Sequence, residues 1–158
     1  MHANSTIGIC VGDESIYYGR FTPELTEILN LSATIMHHCP TYSKRFAFST
    51  DGQVIMPLDT VACCFRNRDL RQKAINMLSM STRTEGMWRG DLVAKAMQFI
   101  QELEETGLKD KEKFVPKERV VRDILWAIVP EKRLTRVYCS QAVDGEWVSR
   151  EMVVSWDD

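Results

Sequence analysis

The chain has 158 residues, 44% of them hydrophobic, which is enough for one domain of ordinary size. Its 20 basic and 22 acidic residues nearly balance, so net charge provides no overall attraction to nucleic acid or to an acidic membrane. With only 8 Gly and 5 Pro, the composition excludes a collagen-like or low-complexity chain.

The sequence contains no stretch that suits a membrane span. The longest run without a charged residue extends over 28–43 and is interrupted by polar residues and by Pro40. A spanning helix needs about 20 mostly apolar residues. The first residues lack a basic leader and a long apolar run, so we expect neither a signal peptide nor a membrane partner.

Five cysteines are scattered along the chain, and they do not follow the spacing of a metal site. They are Cys10, Cys39, Cys63, Cys64 and Cys139. An odd number without clustering argues against a secreted disulfide framework. We therefore expect free, buried thiols in a reducing compartment.

The N-terminal part predicts a loop followed by a helix. Ile7, Ile9 and Val11 give a weak alternation that fits a short strand or a loose lead-in, and we expect a loop. A helix is predicted to begin at Thr22 and to end before Pro40, because apolar residues recur every three or four positions.

The middle of the chain predicts a hairpin or extended loop and then two helices. Asp51-Gly52 is a turn signal between the apolar pairs Phe46/Phe48 and Val54/Ile55. Pro57 opens a predicted helix over Leu58 to Phe65, which is apolar on most faces and so should be buried. Asp69 is the predicted cap of a third helix.

The basic residues near Asp69 are Arg66, Arg68, Arg71 and Lys73. Because they spread around the helix, we interpret them as a solvated or ion-paired face, with nucleic-acid contact as the alternative.

A fourth helix is predicted over 89–105, ended by Thr106-Gly107, and the charged segment after it should be an exposed linker. The apolar period then changes from 3.6 to 2 over 121–129, 134–141 and 147–154. Three antiparallel strands in a meander after about four helices define an α+β fold.

We expect one domain over residues 1–158. Its parts are a lead-in over 1–20, a helical part over 21–106, a linker over 107–120 and antiparallel strands over 121–156.

Four segments resemble, in order, the regulatory domain of fungal-specific binuclear zinc-cluster transcription factors. Gly52 to Ala62 is similar to a G-x-I-x-P-L-x-x-V-A stretch of that family, and Arg68 to Leu78 to its arginine-rich helix. Arg83-Thr84-Glu85-Gly86-Met87-Trp88 resembles its R-x-E-G-x-W motif. Gly145 to Trp156 resembles its closing strands, so the similarity covers roughly 21–156.

The resemblance implies the C-terminal end of such a regulatory domain, either from a truncated product or as a freestanding relative. It implies a non-catalytic module for gene regulation or protein interaction that is linked to a metabolic or secondary-metabolite cluster. It also implies a nuclear location, or a cytoplasmic one if the chain is freestanding. The family's zinc cluster uses six closely spaced cysteines, which this sequence lacks. We therefore expect a protein partner and no direct contact with nucleic acid. Position 89, where the family has Asp, is Arg89, and no Pro follows Asp69.

From the residues we predict no catalytic, cofactor-binding or metal-ligating residue and no cofactor. The alternative is a small isomerase or cyclase with a pocket between helices and sheet, for which His37, His38 and Asp123 are the candidate acid–base groups. His37 and His38, with Cys39 nearby, are also a candidate metal or catalytic pair, although two histidines at the end of a helix are favourable to its dipole without any ligand. A third interpretation is a structural fragment.

An exposed apolar patch would favour the interaction module, and a polar-lined pocket with shifted pKa values would favour the enzyme. The apolar segment from Pro57 to Phe65 is where we expect the patch. The tryptophans should bridge the helix and sheet layers, and Glu85 should cap the fourth helix.

Overall fold

The computed structural model describes residues 6–9, 20–38, 48–49, 54–81, 83–109 and 111–156. The chain divides into two compact units. One comprises Asp13–Gln98 and is called the helical unit here, and the other comprises Met1–Gly12 with Phe99–Asp158 and is called the sheet unit.

The described residues form four α-helices, in agreement with the predicted α+β class. Their bounds are Thr22–His38 (α1), Ile55–Cys64 (α2), Arg68–Met80 (α3) and Gly90–Glu105 (α4). A small sheet of two-residue strands accompanies them, made of Phe48–Ser49 (β2), Thr84–Glu85 (β3) and Trp88–Arg89 (β4). Strand β2 is parallel to β3, and β3 is antiparallel to β4.

Helix α1 begins at the predicted Thr22 and buries Leu25, Leu29 and Ser32, which recur at the spacing of one helical face. Helix α2 starts three residues before Leu58, the residue at which we expected it to start. Ile55 is therefore helical, and the prediction of a hairpin that includes it is wrong. The turn itself, Asp51-Gly52, lies outside the described residues.

The cap of α3 is Asn67 and not Asp69. The Asn67 side chain accepts a hydrogen bond from the Leu70 N–H at 3.1 Å. Asp69 lies in the first turn of the helix, where its charge is favourable to the helix dipole. Both residue types occur near helix N-termini, so the sequence alone left the position of the cap ambiguous by two residues.

In the sheet unit, Thr6–Ile9 (β1) and three C-terminal strands form a four-stranded antiparallel sheet, in which the strands lie side by side in chain order. Its C-terminal strands are Arg122–Val129 (β5), Leu134–Val143 (β6) and Glu146–Ser155 (β7), which confirms the predicted meander. Asp144 and Gly145 join β6 to β7 with φ values of 51° and 86°, as a type I′ turn requires.

The expectation of a loop at the N-terminus is wrong for Thr6–Ile9, which forms β1 and pairs with β5. Thr6 lies opposite Ala127 and Ile9 opposite Ile124. A four-residue strand is stabilised here by a partner strand more than a hundred residues away, because the ladder satisfies its backbone groups.

One face of this sheet is buried and is called the inner face here. Along β6 the side chains alternate, and Val137 and Cys139 are at most 2% exposed. Trp126 of β5 and Val154 of β7 are also buried. The opposite face is called the outer face here.

The segment 107–120 is more than the exposed linker that we expected. Val115 and Val120 are buried, and Lys117–Arg119 forms a short 3₁₀ helix. Gly107 follows α4 with a φ of 75°, which confirms the predicted left-handed end of that helix. Within the described ranges, no helix combines the length and apolar character that crossing a membrane requires.

Candidate functional site

A cluster of charged side chains is buried in the helical unit. Asp59 is 1% exposed, Arg66 2% and Arg71 0%. Burial raises the pKa of the Asp59 carboxyl from an ordinary 3.8 to about 7, because an ionised carboxylate loses its hydration there. Burial is the cause of this shift, so folding favours the neutral acid of Asp59, and the cluster belongs to the core.

Cys63 lies within this cluster and is 1% exposed. Its Sγ is 4.0 Å from Asp59 Oδ1 and 3.3 Å from the Met97 Sδ. Burial and then the Asp59 charge raise the pKa of the Cys63 thiol well above its usual value, and burial also raises the pKa of Cys64. A buried thiol with a raised pKa is a poor nucleophile and a poor metal ligand. Cys63, Cys64 and Cys139 are all free and buried, as predicted for these three.

Glu85 caps a helix, but the helix is α2 and not the predicted α4. Its carboxylate accepts the Val54 N–H at 3.1 and 3.2 Å and the Ile55 N–H at 2.9 Å. The Arg83 Nε lies 3.2 Å from the same carboxylate. Glu85 is 3% exposed, so these partners are what make its burial tolerable. The R-x-E-G-x-W segment therefore acts structurally, by tying β3 to the start of α2.

The outer face of the sheet carries apolar side chains that remain in contact with solvent. Trp147 is 57% exposed, Val153 51% and Leu125 37%. The strand register places Leu125 opposite Tyr138, and Tyr138 opposite Glu151. The same register places Val153 opposite Arg136 and Trp147 opposite Ala142. These side chains thus share one surface that spans three strands.

Polar groups border this apolar surface. Arg136 pairs with Glu151 at 2.7 Å, and hydrogen bonds with Tyr138 and then with Glu151 raise the pKa of Arg136. The Arg122 guanidinium lies 5.2 Å from the centre of the Trp147 ring, a cation–π distance. Arg122 forms no ion pair with the part of the chain that the structure describes. An aromatic ring with an adjacent cation resembles the composition of protein-interface centres.

A cavity of about 350 Å³ lies in the sheet unit, beside the end of α4 and the β6–β7 turn. Its lining includes Arg119, Gln141 and Arg150. The acid with the pKa shifted toward neutrality, Asp59, belongs to the helical unit and does not line the cavity. The described lining therefore lacks the shifted acid–base group that the enzyme interpretation requires.

The acid–base candidates from the sequence lie in different units. His37 and His38 end α1 and are exposed, with ring centres 5.0 Å apart in an edge-to-face arrangement. Asp123 is exposed at the irregularity of β5, with a φ of 53°. Cys39, the thiol next to the candidate metal pair His37 and His38, lies outside the described residues. Among the residues that are described, no group of three His, Cys, Asp or Glu could hold a metal ion.

Three further expectations require correction. The segment Pro57 to Phe65 is not an exposed patch, because Leu58, Val61 and Phe65 are at most 2% exposed. This burial agrees with the prediction made from the apolar composition of the helix. Trp147 does not bridge layers, because it lies on the outer face. Among the basic residues near α3, Arg66 and Arg71 are buried, so the cluster is not a basic surface.

Sequence reasoning missed the outer face as the site of exposed apolar residues. The alternation in β5 was visible, but both of its sides are apolar, with Ile124 and Trp126 against Leu125 and Ala127. The available signal in the sequence was the position of Trp147 beside a predicted turn, where a large apolar side chain has few neighbours to cover it.

No protein-family model, curated protein or solved structure matches this chain. The assignment of function therefore depends on the geometry above and on the sequence resemblance.

Proposed function

We propose that this protein is a non-catalytic gene-regulatory module that binds another protein through the outer face of its sheet. The observation that carries the proposal is the exposure of Leu125, Trp147 and Val153 on one face. Burying apolar area of this kind contributes about 25 cal/mol per Å² on association. The resemblance to regulatory domains of fungal zinc-cluster transcription factors supplies the gene-regulatory role and the nuclear location.

The partner chemistry follows from the charges beside the apolar residues. Arg136 already has Glu151 as its partner, whereas Arg122 has the Trp147 ring and no carboxylate within the described residues. A partner that presents an apolar surface with a carboxylate at its edge would cover Trp147 and pair with Arg122. Contact with nucleic acid is not part of the proposal, because the two cations of this surface already have partners. Arg136 pairs with Glu151, and Arg122 lies over the Trp147 ring.

A transcriptional reporter tests this function directly. The full chain, fused to an unrelated DNA-binding domain, should change reporter expression in a fungal host. Replacing Trp147 by Ser together with Val153 by Thr should abolish that change at equal protein level. Met80→Ser is the matched control, because Met80 is 78% exposed but lies in the helical unit.

An unchanged reporter with the intact chain, or full activity of the double variant, would contradict the proposal. Titration of fluorescent single- and double-stranded DNA into the purified chain provides a second test. Saturable binding to either would replace the protein-interaction function with a nucleic-acid one.

A further inference from the structure

The cavity in the sheet unit is built from two cationic side chains and a short apolar wall. Arg119 and Arg150 contribute the guanidinium groups, and Asp144 contributes the one carboxylate of the lining. The apolar part consists of Leu103, Ala142 and Val143. Two positive charges against one negative leave a net charge of +1 in the lining, which suits a monoanion.

The Arg150 side chain has an unmet need for an acceptor. Its Nε atom is buried and has no hydrogen-bond partner within the described part of the chain. Because this Nε is closed to solvent, a ligand in the cavity would reach the terminal nitrogens of the guanidinium. The neighbouring Cys139 is a thiol whose pKa burial raises to about 11, so it provides no negative charge at neutral pH.

The walls of the cavity are held in place by hydrogen bonds. Gln141 Nε2 donates to the Leu103 carbonyl at 2.9 Å and to the Arg119 carbonyl at 3.2 Å. The Arg119 guanidinium donates to the Thr106 carbonyl. These bonds join the end of α4, the 3₁₀ helix and β6, so the Arg119 side of the cavity is pre-formed, and the strand ladder places Arg150 opposite Cys139.

We propose that this cavity binds a small monocarboxylate that carries a short branched apolar group. The carboxylate would accept hydrogen bonds from Arg150, whose planar fork matches a carboxylate in two-point contact. The apolar group would lie against Leu103 and Val143. The volume of about 350 Å³ is within the range of small-molecule sites.

Isothermal titration of the full chain with sodium isovalerate tests the proposal. Isovaleramide, a neutral molecule of the same shape, is the matched probe and should bind at least about tenfold more weakly. Arg150→Gln should weaken isovalerate binding by about tenfold or more, whereas Arg150→Lys, which keeps the charge but loses the fork, should fall between. Arg136→Gln, on the outer face, should bind like the unchanged protein.

Val143→Trp gives a test that keeps both arginines. Val143 is 36% exposed, so a larger side chain there can fill the cavity without entering the core. This variant should lose isovalerate binding while its thermal unfolding stays unchanged. Equal binding of isovalerate and isovaleramide, no isovalerate binding by the unchanged protein, or full binding by Arg150→Gln would each overturn the proposal.

Discussion

A buried cluster of charges in the helical unit contrasts with an exposed apolar surface in the sheet unit, although each unit also holds single residues of the other kind, such as Met80 and Glu104. The helical unit buries charges, with Asp59, Arg66 and Arg71 almost fully removed from solvent. The sheet unit exposes apolar groups, with Trp147 and Val153 more than half exposed. Buried charges require specific partners and so restrict the packing of a core. Exposed apolar groups contribute little until a partner covers them. The comparison therefore associates structural specificity with the first unit and the proposed binding surface with the second.

The largest effect should come from Glu85, whose loss would show that the helical unit depends on buried charge. Glu85→Ala removes the acceptor of the Val54 and Ile55 N–H groups and leaves Arg83 without its carboxylate. We expect a loss of about 3–5 kcal/mol in the free energy of unfolding, measured by urea denaturation. The exposed Glu131→Gln is the control and should change it by less than about 0.5 kcal/mol. An equal effect of both would refute the structural role of Glu85.

Asp59 should make the stability of the helical unit depend on pH. A carboxyl whose pKa rises from 3.8 to about 7 on folding binds its proton more tightly in the folded state. Its contribution to stability is full below pH 3.8 and is lost as the pH rises toward about 7. That loss amounts to as much as roughly 4 kcal/mol, at 1.36 kcal/mol for each pKa unit.

Asp59→Asn should flatten this dependence between pH 4 and about 7, because an amide does not titrate. Cys63 lies 4.0 Å from the Asp59 carboxylate, and Cys64, Arg66 and Arg71 act with Asp59 on the same thiol. Urea denaturation at several pH values measures the slope. Asp69→Asn, at an exposed position, is the control and should retain it. An unchanged slope in Asp59→Asn would assign the pH dependence to another group.

Gly90 should reveal close packing in the helical unit. A Cβ at this position would lie 2.9 Å from the Leu78 carbonyl oxygen and 2.9 Å from the Ser81 Cβ. Gly90→Ala should therefore destabilise by about 1–3 kcal/mol, measured as a fall in thermal unfolding temperature and urea midpoint. Ala94→Ser, in the same helix, serves for comparison. A stabilising Gly90→Ala would mean that helix propensity outweighs the contact.

The smallest effect on stability should come from the outer face. Trp147→Ser with Val153→Thr should change the free energy of unfolding by about 0.5 kcal/mol or less, since both side chains are mainly in solvent. The same variant should lose partner binding in the reporter assay. A large loss of stability would mean that these side chains belong to the fold and would remove the contrast between the two units.

The sequence predicted elements well where the signal was local. Apolar spacing identified the four helices, and Asp144-Gly145 identified the turn between the last two strands. It failed where the determining partner is distant. Strand β1 depends on β5, and the helix that Glu85 caps begins about thirty residues earlier in the chain.

The candidate site was harder to predict than the fold. In β5, Ile124 and Leu125 are equally apolar, and only packing decides that the first is buried and the second exposed. The cavity brings Arg119 and Arg150 together from a 3₁₀ helix and a strand, so no spacing in the sequence indicates it. Tertiary contacts determine both features.

The hydrogen bonds between Glu85 and the start of α2 also determine when this end of the helix can be stabilised during protein synthesis. Val54 and Glu85 are 31 positions apart, so the first turn of α2 leaves the ribosome well before its cap exists. At about 5–20 residues per second, translation supplies that cap roughly 2–6 s later. Until then, a segment with the apolar composition of α2 is exposed to other nascent chains, and chaperones that recognise apolar segments should bind it during that interval.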